Sequence, residues 1–253
     1  MRPGAREPPA VFTVLEPARP GRLQARRTTR GRAPAIGNAP AVTAGARPLA
    51  MFPLSTVLFP LLELPLHVVF EPRYQVLLAD CLAAEREFGV VLIDRGSEVG
   101  GGDRRVQVGT VARIESASPM AEGRWLLATR GTRRVRVTEW LPDDPYPVAV
   151  VEELPAAPRR PGGPALEVAQ RAVRRARALL SELGPAPALV GSLELGDDAD
   201  EAAWRLCAMA PVSPLDGQRL LEIDEPVERL GHLAELCDAV ADDLSRMLAD
   251  GRE

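Results

Sequence analysis

Apolar and polar positions change rhythm once along this chain, and the change divides it into two kinds of structure. Phe52–Val57 and Glu63–Val69 are short apolar runs separated by a Phe59-Pro60 turn, and their prolines stand where a strand tolerates a missing N–H. Pro72 then opens a helical pattern, with Tyr74, Leu77, Leu78, Cys81 and Leu82 on one face. Phe88–Ile93 is a continuous apolar run, short enough for a strand buried on both sides. Val106, Val108, Thr110, Ala112 and Ile114 alternate strictly with their neighbours, as in a half-buried strand. Trp125–Arg130 and Arg133–Leu141 follow, with Gly131 between them marking a bulge or sharp bend, and Val148–Val151 closes the series. Six or seven short strands around one early helix predict a small, strongly curved sheet or barrel.

Beyond the Pro/Gly/Arg-rich stretch at 155–164 the period becomes helical. Leu166, Ala169, Val173, Ala176, Leu180 and Leu183 mark one helix, stopped at Gly184-Pro185. A second runs from near Asp198 through Trp204 and Cys207 to Ala210. A third starts at Ser213-Pro214-Leu215-Asp216, which has capping-box spacing with proline in the first helical position. The last begins at Asp224 and carries Val227, Leu230, Leu233, Cys237, Val240, Leu244 and Met247 on one face. The expected class is α+β. A β domain over 51–154 is followed by a linker at 155–164 and a four-helix subdomain over 165–250. Residues 1–48, rich in Ala, Arg, Pro and Gly without period, are expected to form a disordered basic extension, with Met51 near a plausible true start.

Composition then removes functions. All 31 basic side chains are arginine, so there is no Walker A lysine, Ser–Lys dyad or Schiff-base lysine in this chain. Residues 1–50 hold nine Arg and two Glu, which leaves 22 Arg against 33 acids in the remainder, a net of −11. An acidic body repels phosphate and argues against nucleic-acid binding by the folded part. Cys81, Cys207 and Cys237 match neither a disulfide framework nor a zinc spacing, and a reducing, cytoplasmic setting is the simplest one. The longest apolar stretch, Val57–Phe70, is interrupted by Pro60, Glu63, Pro65 and His67, so no membrane span is expected.

The segments FPLSTVLFP, LPLHVVFEPRY, FGVVLI, VGTVARI, the GRW and GTRRVRV pair, and Pro145-Tyr146 resemble, in order and spacing, the Lon protease N-terminal, or substrate-binding, domain. WRLCAMAPVSPLDGQRLLEIDEPVERLGHL resembles the helical part that follows in stand-alone members, so the likeness covers roughly 51–249. The resemblance implies a PUA-like pseudo-barrel with helices behind it and a non-enzymatic role in holding unfolded polypeptide or a protein partner for proteolytic quality control. A separate ATP-dependent protease would then supply the ATPase and peptidase, and no cofactor is called for. An RNA-binding PUA-like module is the alternative. The sequence departs from the family where a small residue, often glycine, usually follows the second FP; here Leu61-Leu62 stand there.

His67, in an apolar strand, reads as a packed residue, and His232 as a surface one. Neither has an acid or nucleophile at triad spacing, so no catalytic residue and no metal ligand is assigned. Glu71, Arg73 and Tyr74 flank the first helix start and read as structural. Glu71 is placed to accept free backbone N–H groups there, and Arg73 to pair with an acid on the sheet. Arg134 and Arg136 share one face of an alternating strand and read as solvated. Phe59, Leu61 and Leu62 are the residues nominated for polypeptide binding. Exposed at their turn they would form a docking patch; buried they would plug the sheet against the helices, and burial is the favoured outcome.

Overall fold

The computed structural model describes residues 46–95, 104–121, 124–156, 161–183 and 195–250, apart from the side chains of 65–68 and 250. The expected disorder over 1–48 therefore falls mostly outside the described residues. So do the Gly184-Pro185 stop and the packing of His67.

Six strands and five helices are described: β1 Arg47–Leu54, β2 Glu63–Val69, α1 Pro72–Ala83, β3 Glu87–Arg95, β4 Arg104–Pro119, β5 Trp125–Trp140, β6 Val148–Glu153, α2 Gly163–Glu182, α3 Ala199–Met209, α4 Pro214–Glu222 and α5 Pro226–Asp250. The protein is α+β, with a mixed sheet. β1 lies parallel to β3 and antiparallel to β6, and β3–β4–β5 continue antiparallel. β5 also pairs β6, so β1, β3, β4, β5 and β6 close into a ring. β5 is long enough to serve two partners on one side. Trp125–Arg130 pairs β2, and Val135–Trp140 pairs β6.

Several strand boundaries differ from the sequence reading. The first strand begins at Arg47, inside the segment read as an extension, and ends at Leu54 rather than Val57. Arg47 pairs across to Val151, and its guanidinium meets Glu85 and Glu87. The two segments around Gly131 form one strand, and the expected bulge is there: Val111 faces Arg133 while Ala112 faces Gly131, leaving Thr132 over.

Alternation sorts side chains into separate cores. Leu49, Met51, Val91, Val111, Val135, Val137, Ala149 and Val151, drawn from all five ring strands, form one. Phe52, Leu54, Val90, Ala112 and Ile114 point the other way and pack with Tyr74, Leu77, Leu78 and Cys81 of α1. A third core belongs to the helices, where Ala169, Val173, Leu206, Leu220, Leu233 and Cys237 meet, and it also takes in Phe59 and Val108 from the sheet region. Sheet and helices are thus joined by shared apolar burial, the dominant favourable term in folding.

The start of α1 corrects one expectation. Glu71 is the N-cap residue, but it caps with its backbone carbonyl, which accepts from Tyr74 and Gln75. Its side chain makes no cap bond and instead accepts from Arg73 Nε at 3.1 Å, an ion pair beside the helix start. The Arg73 guanidinium lies over the Tyr74 ring at 4.5 Å, and buried Tyr74 packs on Phe52 with centroids 4.2 Å apart. All three residues lie at the helix entry.

Candidate functional site

The loop between β1 and β2, residues 55–62, is where the sheet meets the helices, and it carries all three nominated residues. Consecutive side chains go to different cores: Leu58 to the α1 side, Phe59 to the helical side. The backbone is held from beneath. Thr110 Oγ1 donates to Leu58 O at 2.6 Å. Leu61 N donates to Gly131 O at 2.9 Å, and Gly131 N returns a bond to Leu62 O at 2.7 Å. Glycine is required at 131 because an added Cβ would stand 2.4 Å from Phe59 O.

Phe59 is buried and stacks on Trp204 of α3, with ring centroids 5.7 Å apart. Leu61 and Leu62 are half-buried against the helical core. Of the two readings of this turn, the structure contains the plug: Phe59 is not available as exposed surface, because α3 covers it. Leu61 has φ 64°, the left-handed region, where a non-glycine residue costs about 1–2 kcal/mol. The departure from the family pattern thus falls on the one position of the loop whose backbone favours glycine.

Behind Trp204 sit two buried arginines. Arg229 of α5 lies over the Trp204 ring, its guanidinium 3.6 Å from the centroid. It donates to the carbonyls of Leu220, Ile223 and Asp224, at the negative end of α4. Burial pulls its pKa down to about 10, so it stays cationic at neutral pH. Arg134 of β5 donates to the carbonyls of Leu221, Ile223 and Pro155 and pairs Asp224 Oδ1 at 2.7 Å. The sequence reading placed Arg134 on a solvated face; it is only 5% exposed, because α4 and the α4–α5 turn cover that face of β5. Strand alternation identifies the face but not what packs on it from 90 residues away. Gln218 of α4 completes the joint, donating to Val108 O at 3.0 Å.

Two cavities flank the loop. One, of about 280 Å³, is a half-open groove between the loop and the α3–α4 turn, with Val57, Leu62, Leu64, Ala210, Val212 and Pro214 as apolar walls. Glu63 and Ser213 also line it. Cys207 borders it, and burial pushes that thiol up to about 12, so it is protonated and no nucleophile. The other cavity, of about 220 Å³, lies on the far side of Leu61, against Trp204, Arg134 and Arg229. The arrangement offers apolar surface and hydrogen-bond donors. Among the described residues no group of His, Cys, Asp and Glu could hold a metal ion, and no helix is long and apolar enough to cross a membrane.

The structure is thus a closed ring of strands with α1 on one side and a helical pack joined to it at the β1–β2 loop. Residues 48–239 match the family model of the ATP-dependent protease La (LON) substrate-binding domain. Lon protease 2 of Herpetosiphon aurantiacus is 31% identical over 192 residues, which is 74% of this chain and 23% of that protein. A LON peptidase N-terminal domain and RING finger protein of Schizosaccharomyces pombe is 22% identical over 70% of this chain and 42% of its own length. The chain therefore spans between about a quarter and two fifths of these relatives. The crystal structure of a Lon N-terminal domain protein from Xanthomonas campestris superposes with a TM-score of 0.56 at 30% identity, covering 74% of this chain and 96% of that one. The N-terminal domain of a Mycobacterium avium complex Lon protease, at 16% identity and TM-score 0.52, shares the fold, covering 76% of this chain and 98% of its own. This chain belongs to the Lon substrate-binding domain family.

Proposed function

We propose that this protein is a non-catalytic module that binds unfolded or extended polypeptide, using the groove between the β1–β2 loop and the α3–α4 turn. Membership of a substrate-binding family is the observation that carries the reading, and the groove supports it. Its lining is mostly apolar, Glu63 and Ser213 add polar groups, and its size suits side chains rather than a large cofactor. An extended chain laid along it would seat alternate apolar residues, with affinity for one short segment around micromolar. The absence of lysine from the chain rules out the lysine-dependent ATPase and peptidase chemistries within it. Delivery of the bound polypeptide to a separate ATP-dependent protease, in a reducing cytoplasm, is part of the same proposal.

Fluorescence anisotropy with a labelled, permanently unfolded protein and with its native form tests this. The unfolded form should bind and the native form should not. Ala208→Trp, placed at an exposed residue that lines the groove, should weaken binding about tenfold or more while leaving the melting temperature unchanged. Equal binding of both forms, or of neither, contradicts the proposal.

A further inference from the structure

The cavity beside Leu61 holds two donors that the fold does not use. Arg134 spends its Nη1 and Nη2 on carbonyls and Asp224, and Arg229 spends its Nε and Nη2 on carbonyls. Arg134 Nε and Arg229 Nη1 have no hydrogen-bond partner among the described residues. Arg229 has no carboxylate within ion-pair distance there either. Both residues are more than nine-tenths buried, yet neither atom is sealed from solvent: the one fully buried unpartnered side-chain atom among the described residues is Gln218 Oε1. Both residues line this cavity. Its remaining walls include Pro60, Leu61, Leu154, Pro155 and Trp204.

Two guanidinium groups with unused donors, lining a chamber that also has apolar walls, select an anionic head on an apolar body. At about 220 Å³ the chamber is smaller than the usual range for drug-sized ligands, about 300–1,000 Å³, and holds roughly one residue. Thr132, Arg133 and Asp200 also line it; the Arg133 guanidinium is taken up by Glu87 and Glu153, and the Asp200 carboxylate disfavours ligands with more than one negative charge, such as phosphate. The planar guanidinium is matched to carboxylate. We infer that this cavity is a receptor for the C-terminal residue of a polypeptide: an apolar side chain against Trp204 and the prolines, with its free carboxylate on Arg134 Nε and Arg229 Nη1. The inference rests on the proposed polypeptide binding and adds a chain-end site to it.

The test uses the full chain and three probes: a short peptide ending in leucine with a free carboxylate, the same peptide as its C-terminal amide, and free leucine. Titration calorimetry should give the acid about ten- to a hundredfold tighter than the amide, the span of a charge-assisted pair of hydrogen bonds, with free leucine weaker than the acid. Ala156→Trp, at an exposed residue lining the cavity, should abolish the difference between acid and amide without altering the melting temperature. Equal affinities of acid and amide, tighter binding of free leucine, or indifference to Ala156→Trp would each overturn the chain-end site. An unfolded protein that still binds in the anisotropy assay would leave the broader reading standing. If the acid peptide binds and the unfolded protein does not, the groove is not the polypeptide site and binding is confined to the chain end.

Discussion

Leu61 is held at φ 64° by the paired bonds to Gly131, and its side chain packs on the helical core. Two opposing effects therefore meet at one residue: backbone strain, which glycine would relieve, and apolar contact, which glycine would lose. Leu62, its half-buried neighbour, gains no such relief. Leu61→Gly should accordingly cost about 1 kcal/mol less than Leu62→Gly in chemical denaturation, and equal costs would mean the backbone is not strained. Glu87 makes a different kind of demand. Its side chain is 6% exposed and meets Arg47, Arg113 and Arg133 at 3.3, 3.1 and 2.8 Å. The hydrogen bond from Arg133 holds its carboxyl below the usual glutamate value. A carboxylate whose folded pKa is depressed contributes stability that is fully present above its unfolded pKa, about 4.3, and is lost as pH falls through the lower folded value. Wild-type stability should fall over that acidic window, and Glu87→Gln should be less stable near pH 7 but lose less on acidification. Parallel pH profiles for the two proteins would show that Glu87 contributes nothing.

At the scale of elements, the β1–β2 loop and α4 act as a matched pair. The loop lies on Gly131 and α4 lies over the loop, and glycine means different things at the two contacts. A Cβ at 131 would meet backbone at 2.4 Å, whereas a Cβ at Gly217 would find Val57 and Phe59 at 3.7 and 3.8 Å, ordinary contact. Gly131→Ala should destabilise by about 1–3 kcal/mol through forced displacement of the loop. Gly217→Ala, inside a helix, should stabilise by about 0.4–1 kcal/mol. Thermal melts of both variants check this, and a destabilised Gly217→Ala would show that α4 sits closer to the loop than described. The helix starts were legible from sequence. Ser213 Oγ accepts from Asp216 N at 3.1 Å, as its spacing predicts, and Asp198 accepts from Asp200 N and Glu201 N. The side-chain role of Glu71 was not legible, because a carboxylate at an N-cap has two competing partners and Arg73, two residues away, takes it.

Over the whole molecule, local periodicity revealed what local forces decide. Alternation in β4, the α1 face, the bulge at Gly131 and the four later helices all follow from patterns within about 20 residues. Long-range decisions left no local trace. The parallel pairing of β1 with β3, the ring closure of β5 on β6, and the burial of Arg134 each join segments far apart in sequence. The candidate site shows the same division. Large apolar residues at a turn drew attention to Phe59, Leu61 and Leu62, but Trp204, Arg134 and Arg229 could be added only once α3–α5 were seen folded over that turn. An arginine on an alternating strand looks solvated until a helix terminus from another region covers it with carbonyl groups.

That joint between loop and helices is where polypeptide should bind, and amide hydrogen exchange on the intact protein reads it directly. Adding an unfolded protein should slow exchange in residues 56–64 and 207–217, the two walls of the groove, and leave the α2–α5 contact unchanged. Protection confined to some other surface, or none at saturating ligand, would contradict the placement of the binding site at this joint.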